Sequence, residues 1–410
     1  MADPQSRIVA TMRILFIQNR ILFPTNTGGR IRTLNILRHL AEWHEVTYLC
    51  NLESAEERHC DAMRAVGMEL ETVAWRGTTS EDWRFYRDLA LNCFSRLPFS
   101  VAKDTNPALR KRAEQLIEKN DYDLVICDFI QMAPAVMGLA CRARLLFQHN
   151  VEAQIFERHA KANQGWLRRR VMTSEWKKMR RFEKESGLDF DGVIAVSDQD
   201  REQFEHNYRW PRVHVIDTAV DTDFFQPQRE PQPNRVAFVG SMDWLPNQEG
   251  VEYFVKEIWP RVRAEHPESQ FRIVGRNPSR RVEDLKTCAG VEVLGTVPDV
   301  RPYLDEASIV VTPILVGGGT RIKIYEAMAM GKPVVSTSIG AEGLKVVDQE
   351  HILLADTAEE FAAAVNRLLA SRETGQRIGR AARALVCEKF AAEPVARQFN
   401  AICEKVVGKG

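Results

Sequence analysis

The sequence predicts an α/β protein made of two doubly wound parallel sheets. Three observations carry that expectation. Short apolar runs that end in polar residues alternate with segments of helical spacing along most of the chain. The alternation breaks once, in a Pro-rich stretch around residues 217–234, and then resumes. With 410 residues there is enough chain for two such domains, each burying its own core.

The first strand is expected at residues 13–18, where Ile14, Leu15, Phe16 and Ile17 form an unbroken apolar run. Such runs suit a parallel strand covered on both faces. A loop over 19–29 follows, with Pro24 and the pair Gly28-Gly29. Ile31, Leu34, Ile36, Leu37 and Leu40 then repeat at helical spacing. Further strands are expected at 45–50, 122–127, 143–147 and 192–196. Pro227, Pro231 and Pro233, set among Gln, Arg and Glu, give 218–234 the texture of a linker. Strands resume at 235–239, 270–274, 291–294, 308–313 and 333–336, and 358–407 reads as entirely helical. The expected organisation is a disordered extension over 1–12, a first domain over 13–217, the linker, a second domain over 235–387, and a helical C-terminal tail over 388–410 placed to pack back on the first domain.

Composition narrows the function. Hydrophobic residues make up 44% and charged residues 27%, as in an ordinary globular protein. Lys plus Arg equals Asp plus Glu at 56 each, so a bulk electrostatic grip on nucleic acid is excluded. No apolar run approaches the roughly 20 residues that span a bilayer, and residues 1–12 lack the apolar core of a signal peptide. Eight cysteines without a C-x-x-C pair, several inside apolar strands, read as buried reduced thiols of a cytoplasmic protein.

The segment from Val310 to Glu326 carries the most chemistry. It runs strand, glycine loop (Gly317, Gly318, Gly319), helix cap (Thr320) and helix, with Arg321 and Lys323 in the first turn. The glycines allow close backbone approach. A helix N-terminus and two cations make a diphosphate site without a metal. Glu326, one turn further on, is placed to accept hydroxyl hydrogen bonds from a ribose. There is no Walker A loop and no G-x-G-x-x-G after the first strand. The loop holding Gly28 and Gly29 suits an acceptor or a donor phosphate. Asp121, Asp123 and Asp128 are scattered by strand alternation, so no metal site is assigned. The basic stretch 167–181, with Trp166 and Trp176, reads either as a solvated helix or as a peripheral contact with the inner face of a membrane.

Taken together these segments resemble family 4 of the glycosyltransferases, retaining nucleotide-sugar enzymes of GT-B fold. The resemblance runs through Thr27-Gly28-Gly29, Val215 to Phe225, Phe238-Val239-Gly240, Ile273-Val274-Gly275, Gly295 to Val300, and Gly317 to Val335. It implies two Rossmann-like domains facing a central cleft. It also implies a UDP- or GDP-sugar donor, a glycan or lipid-linked glycan acceptor, and no cofactor. Arg321 and Lys323 would hold the diphosphate and Glu326 the ribose. Gly240, Asn277 and Val297 would lie in loops around the donor. His149 matches the histidine near the transferred sugar. The stretch from Gly240 to Asn247 is similar to sugar transferases of bacterial exopolysaccharide assembly. Two positions depart from the family pattern. Gly318 stands where an E-x7-E motif has its first Glu, and residues 241–248 contain no basic residue. A nucleotide-sugar epimerase and a non-catalytic nucleotide-sugar binding subunit stay open as alternatives.

Overall fold

The structure, a computed structural model, describes residues 11–25, 28–77, 82–162, 165–316 and 322–408. The chain divides into two compact units, Met1–Asp217 with Val395–Gly410, and Thr218–Pro394.

The first unit holds seven parallel strands in the order β3-β2-β1-β4-β5-β6-β7. These are β1 (Arg13–Gln18), β2 (Glu45–Leu52), β3 (Glu69–Ala74), β4 (Leu124–Asp128), β5 (Arg144–Phe147), β6 (Gly192–Ala195) and β7 (Val213–Val215). β1 lies between β2 and β4, with Phe16 opposite Tyr48 on one side and Ile126 on the other. Ile14 to Ile17 are fully buried, as a strand covered by helices on both faces requires. The second unit holds six parallel strands in the order β10-β9-β8-β11-β12-β13. They are β8 (Arg235–Val239), β9 (Gln270–Val274), β10 (Val291–Gly295), β11 (Ile309–Thr312), β12 (Val334–Ser336) and β13 (Leu353–Leu354). In each sheet the chain turns back at the first strand, so β1/β4 and β8/β11 are topological switch points, where open α/β sheets place their ligands.

Some expected boundaries move. Residues 1–10 lie outside the described residues. Met12, also assigned to the disordered extension, is buried, and its N–H donates to His44 Nδ1 (3.2 Å). The Pro-rich stretch over 218–234 belongs to the second unit rather than hanging between domains. Val220 and Phe225 are buried in that unit's core, and the Gln228 N–H donates to the Asp305 carboxylate (3.1 Å). Apolar anchors on either side of the prolines outweigh their linker character. The final helix, Ala392–Val407, is anchored to the first unit from Val395 onward. There Phe399 meets Phe147 edge-on, and Asn400 Oδ1 lies 2.6 Å from His44 Nε2.

Candidate active site

At the switch point of the first sheet, β4 ends in Asp128 and β5 leads to Gln148-His149. Arg32 and Thr33 come from the helix Gly28–Trp43 that follows β1. All five are buried. Thr33 Oγ1 donates to Asp128 Oδ2 (2.9 Å), and His149 Nε2 lies 2.7 Å from Asp128 Oδ1. Arg32 Nη1 is 3.2 Å from His149 Nδ1. A guanidinium can only donate, so Nδ1 accepts and the proton sits on Nε2, aimed at the carboxylate. Burial lowers the His149 pKa, which keeps the ring neutral, and pulls the Arg32 guanidinium down to about 10 against Asp200 and Asp128.

Aromatic rings close this cluster. Phe129 stacks on His149 at 4.0 Å and 8°, and Phe147 lies 4.2 Å away on a tilt. Phe129 holds φ +69°, a conformation that costs a non-glycine residue about 1–3 kcal/mol. That backbone carries the ring over the imidazole. A Cβ at Gly29 would stand 2.8 Å from Phe129 Cζ, so Gly29 serves the close approach of helix to ring. Gly28 opens the same helix. Below the cluster, the buried Glu183 accepts from Gln148 Nε2 (3.2 Å), the backbone N–H groups of Glu152 (2.8 Å) and Ala153 (3.0 Å), and Tyr208 (2.8 Å). It caps the helix Glu152–Ala162 and fixes the loop bearing His149. Burial pushes its carboxyl up to about 8, against the hydrogen bonds from Ala153, Tyr208 and the Glu152 backbone. His149 therefore has both ring nitrogens engaged, and contact with a sugar hydroxyl would require one partner to move.

The second switch point is built differently. Gly317, Gly318, Gly319, Thr320 and Arg321 lie outside the described residues. The helix that follows, Ile322–Ala329, carries Lys323 and Glu326. Lys323 Nζ donates to Asn247 Oδ1 (2.6 Å) and sits 4.4 Å from the centre of the Phe238 ring. Asn247, buried in the helix Leu245–Tyr253, also donates to the Ser241 carbonyl (2.7 Å). A Cβ at Gly240 would reach 3.2 Å from Lys323 Nζ, so the glycine at the end of β8 makes room for the amine. Glu326 is half-buried. Among the described residues no side chain hydrogen-bonds or ion-pairs with its carboxylate. Burial pushes it up to about 7, with Lys323 acting against the rise.

The loops after β8 and β9 are tied together. Asp243 takes a hydrogen bond from Asn277 Nδ2 (2.9 Å) and an ion pair from Arg276 Nε (2.8 Å). Asn277 adopts φ +53°, and a Cβ at Gly275 would collide with the Gly240 carbonyl. Arg276 thus brings a cation beside residues 241–248, which contain none. Val297 stands two residues beyond β10, half-buried. The structure gathers Gly240, Lys323 and Asn277 around one set of strand ends in the second unit. His149, Gly28 and Gly29 gather in the first. Among the described residues no group of three His, Cys, Asp or Glu is placed to hold a metal.

The sequence reading missed Asp128, Arg32 and Glu183. Asp128 had a signal, since a carboxylate at the carboxyl end of a central strand points into the ligand crevice. Glu183 had none, because a glutamate in a basic helix looks solvated.

Two family models match the chain. "Glycosyltransferase Family 4" covers residues 27–224 and "Glycosyl transferases group 1" covers 233–371. An "Uncharacterized 44.6 kDa protein in cps region" of Klebsiella pneumoniae is 22% identical over 365 residues, spanning 85% of this chain and 89% of that protein. "MMP alpha-(1->4)-mannosyltransferase" of Mycolicibacterium hassiacum is 28% identical over 207 residues, 48% of this chain and 49% of the relative. Among solved structures, Anabaena Alr3699/HepE in complex with UDP superposes with a TM-score of 0.67 at 14% identity, covering 96% of this chain and all of that one. TarM gives a TM-score of 0.68 at 13% identity over 97% and 99% of the two chains.

Proposed function

We propose that this chain, which belongs to the family 4 type of glycosyltransferases and has the GT-B fold, moves a sugar from a UDP- or GDP-sugar to a hydroxyl of a growing, lipid-linked glycan in polysaccharide assembly. One observation carries the donor side of this reading. A carboxylate without a partner among the described residues, Glu326, stands one helical turn from a cation pinned beside the glycine that ends β8. An acid with no donor among the described residues suits the hydroxyls of a ribose, and the amine suits a diphosphate.

As the glycosidic bond breaks, negative charge gathers on the leaving diphosphate. Lys323, with Arg321 and the amides at the start of the helix Ile322–Ala329, would stabilise that charge without a metal. Asn247 accepts a hydrogen bond from the amine and fixes its place at the end of β8, one helical turn from Glu326. Retention of configuration follows from the family resemblance. The leaving phosphate would assist the acceptor hydroxyl on the same face of the sugar. In the first unit, the Asp128, His149 and Arg32 cluster sets the shape of the strand ends, which makes His149 a positioning residue. The relative from a cps region fits a role in polysaccharide assembly. The eight cysteines are all unpaired, which fits a cytoplasmic location.

Incubation of the pure protein with labelled UDP- and GDP-sugars, with and without lipid-linked acceptor extract, tests this reading. Transfer that requires both donor and acceptor is expected. Turnover of donor without acceptor would make the chain an epimerase, and tight binding without turnover would make it a binding subunit.

A further inference from the structure

The helix Trp83–Asn92 and the turn after it carry an apolar ridge that stays exposed among the described residues, with only the Arg87 guanidinium resting over Trp83 at 5.2 Å. Trp83 is 68% exposed, Tyr86 60%, Leu91 63% and Phe94 93%. They fall at i, i+3, i+8 and i+11, one stripe of a helix at about 100° per residue. The opposite face is already used. The Phe85 ring meets Phe99 edge-on at 5.1 Å, and Asn92 is buried. The outward stripe is therefore a second, largely apolar face, interrupted by Arg87, which pairs with Asp88, and isolated exposed hydrophobics do not line up in this way.

A strongly positive helix runs beside it. Trp166–Ser186 contains eight Lys and Arg against three Glu. Two of those acids, Glu175 and Glu183, are buried. Among the described side chains its exposed charges are Arg169, Arg170, Lys177, Arg180, Arg181 and Lys184, with only Glu185 opposing them. The two elements are joined where Lys178 Nζ donates to the Asn92 carbonyl (2.8 Å) and Arg181 Nη2 to the Arg96 carbonyl (2.7 Å). This sets the cations beside Leu91 and Phe94. Trp166, at the start of the basic helix, is exposed as well.

We infer that this face docks on a bilayer containing anionic lipids. The ridge of Trp83, Tyr86, Leu91 and Phe94 would enter the interfacial layer, and the basic helix would lie over lipid phosphates. Tryptophan and tyrosine favour that layer because their rings are apolar and their N–H and O–H stay wet. The balance of charge selects the occupant. The whole chain is neutral, so six exposed cations on one helix are a local concentration that an anionic sheet complements. A second copy docking through the same face would bring cations against cations. The inference stands apart from the donor-site reading, because none of these residues is placed there.

The test is co-sedimentation of the full chain with vesicles of phosphatidylcholine alone, and of phosphatidylcholine with phosphatidylglycerol. Binding to the anionic vesicles only is expected, weakening as salt is raised. Trp83→Ala with Phe94→Ala is expected to cut that binding at least tenfold. Both side chains are exposed, so the melting temperature and UDP affinity should stay as in the wild type. Lys177→Glu with Arg180→Glu is expected to remove the preference for anionic lipid. Wild-type protein that stays in solution with both vesicles overturns the inference. Concentration-dependent self-association that Trp83→Ala with Phe94→Ala abolishes, without vesicle binding, would overturn it in favour of an interface between copies.

Discussion

At the switch point of the first sheet, Asp128 is held by Thr33 and His149, and the imidazole lies between two phenylalanines with both nitrogens engaged. At the switch point of the second sheet, Glu326 keeps a carboxylate that no described side chain meets, although burial has already raised it to about 7. The same topology thus ends once with carboxylate and imidazole bound to each other and once with a carboxylate that no described side chain meets. A buried carboxylate and imidazole that satisfy one another resist change. A half-buried acid without a donor is kept at a cost, and a ligand that supplies hydroxyls recovers that cost. The contrast separates a structural strand end from a binding one better than residue type does, because both contain a carboxylate and a cation.

Breaking the closed network should give the largest effect. Asp128→Ala leaves the His149 N–H without its acceptor and deprives Arg32 of a counter-charge. Loss of one partner from a buried pair costs about 3–5 kcal/mol. At roughly 2–4 °C per kcal/mol for a unit of this size, the melting temperature should fall by about 6–20 °C. A fall of less than about 2 °C would show that the cluster is not under tension.

Lys323→Ala is expected to weaken both UDP and inorganic phosphate binding by more than about tenfold, at about 1.4 kcal/mol per decade. It should leave the melting temperature nearly unchanged. Calorimetric titration decides this, and equal phosphate affinity in variant and wild type would move the diphosphate elsewhere.

Glu326→Ala sharpens the same site. Charge-assisted hydrogen bonds of about 1.5–3 kcal/mol should be lost, so UDP affinity drops roughly ten- to a hundredfold while phosphate affinity is kept. Glu326→Gln should fall between the two. Lys323 lowers the acid electrostatically, but the hydrogen bond of its amine goes to Asn247.

The raised carboxyl also gives a pH signature with a definite sign. The folded chain holds the Glu326 proton up to about 7, whereas the unfolded chain releases it nearer the ordinary value of 4.5. Stability is therefore lost as pH rises between those values, and the loss persists above them. Glu326→Gln should raise the melting temperature at pH 8 and change it little at pH 4. UDP affinity should weaken below pH 7 by up to about tenfold per pH unit in the wild type, and not in Glu326→Gln. Parallel pH profiles for the two proteins would refute the assignment.

The smallest effect is expected from chelation. If Lys323 and Arg321 carry the phosphate charge, EDTA should change transfer by less than about twofold. Activity lost to EDTA and restored by Mn²⁺ would contradict that account.

The interior strands were legible in the sequence, and three edges were not. β3 (Glu-Leu-Glu-Thr-Val-Ala), β7 and β13 went unread. Each lies at the rim of its sheet, where one side needs no apolar cover and pairing with a neighbour replaces composition as the reason to be a strand. Lys323 and Glu326 were legible because chemistry and spacing sit within one helical turn. Asp128 and Glu183 were not, since their partners lie far along the chain and only packing brings them to His149 and its loop.

Local order determined what the sequence could say alone: two runs of β-α alternation, the helix carrying Lys323 and Glu326, and the glycines at Gly29 and Gly240. Those are periodicity and backbone freedom, which neighbours along the chain fix. The tertiary structure decided which polar groups were satisfied. It closed His149 between Phe129, Phe147, Asp128 and Arg32, turned Lys323 toward Asn247, and left Glu326 without a partner among the described residues. Desolvation depends on what surrounds a charge in space, and that is set only when distant segments pack.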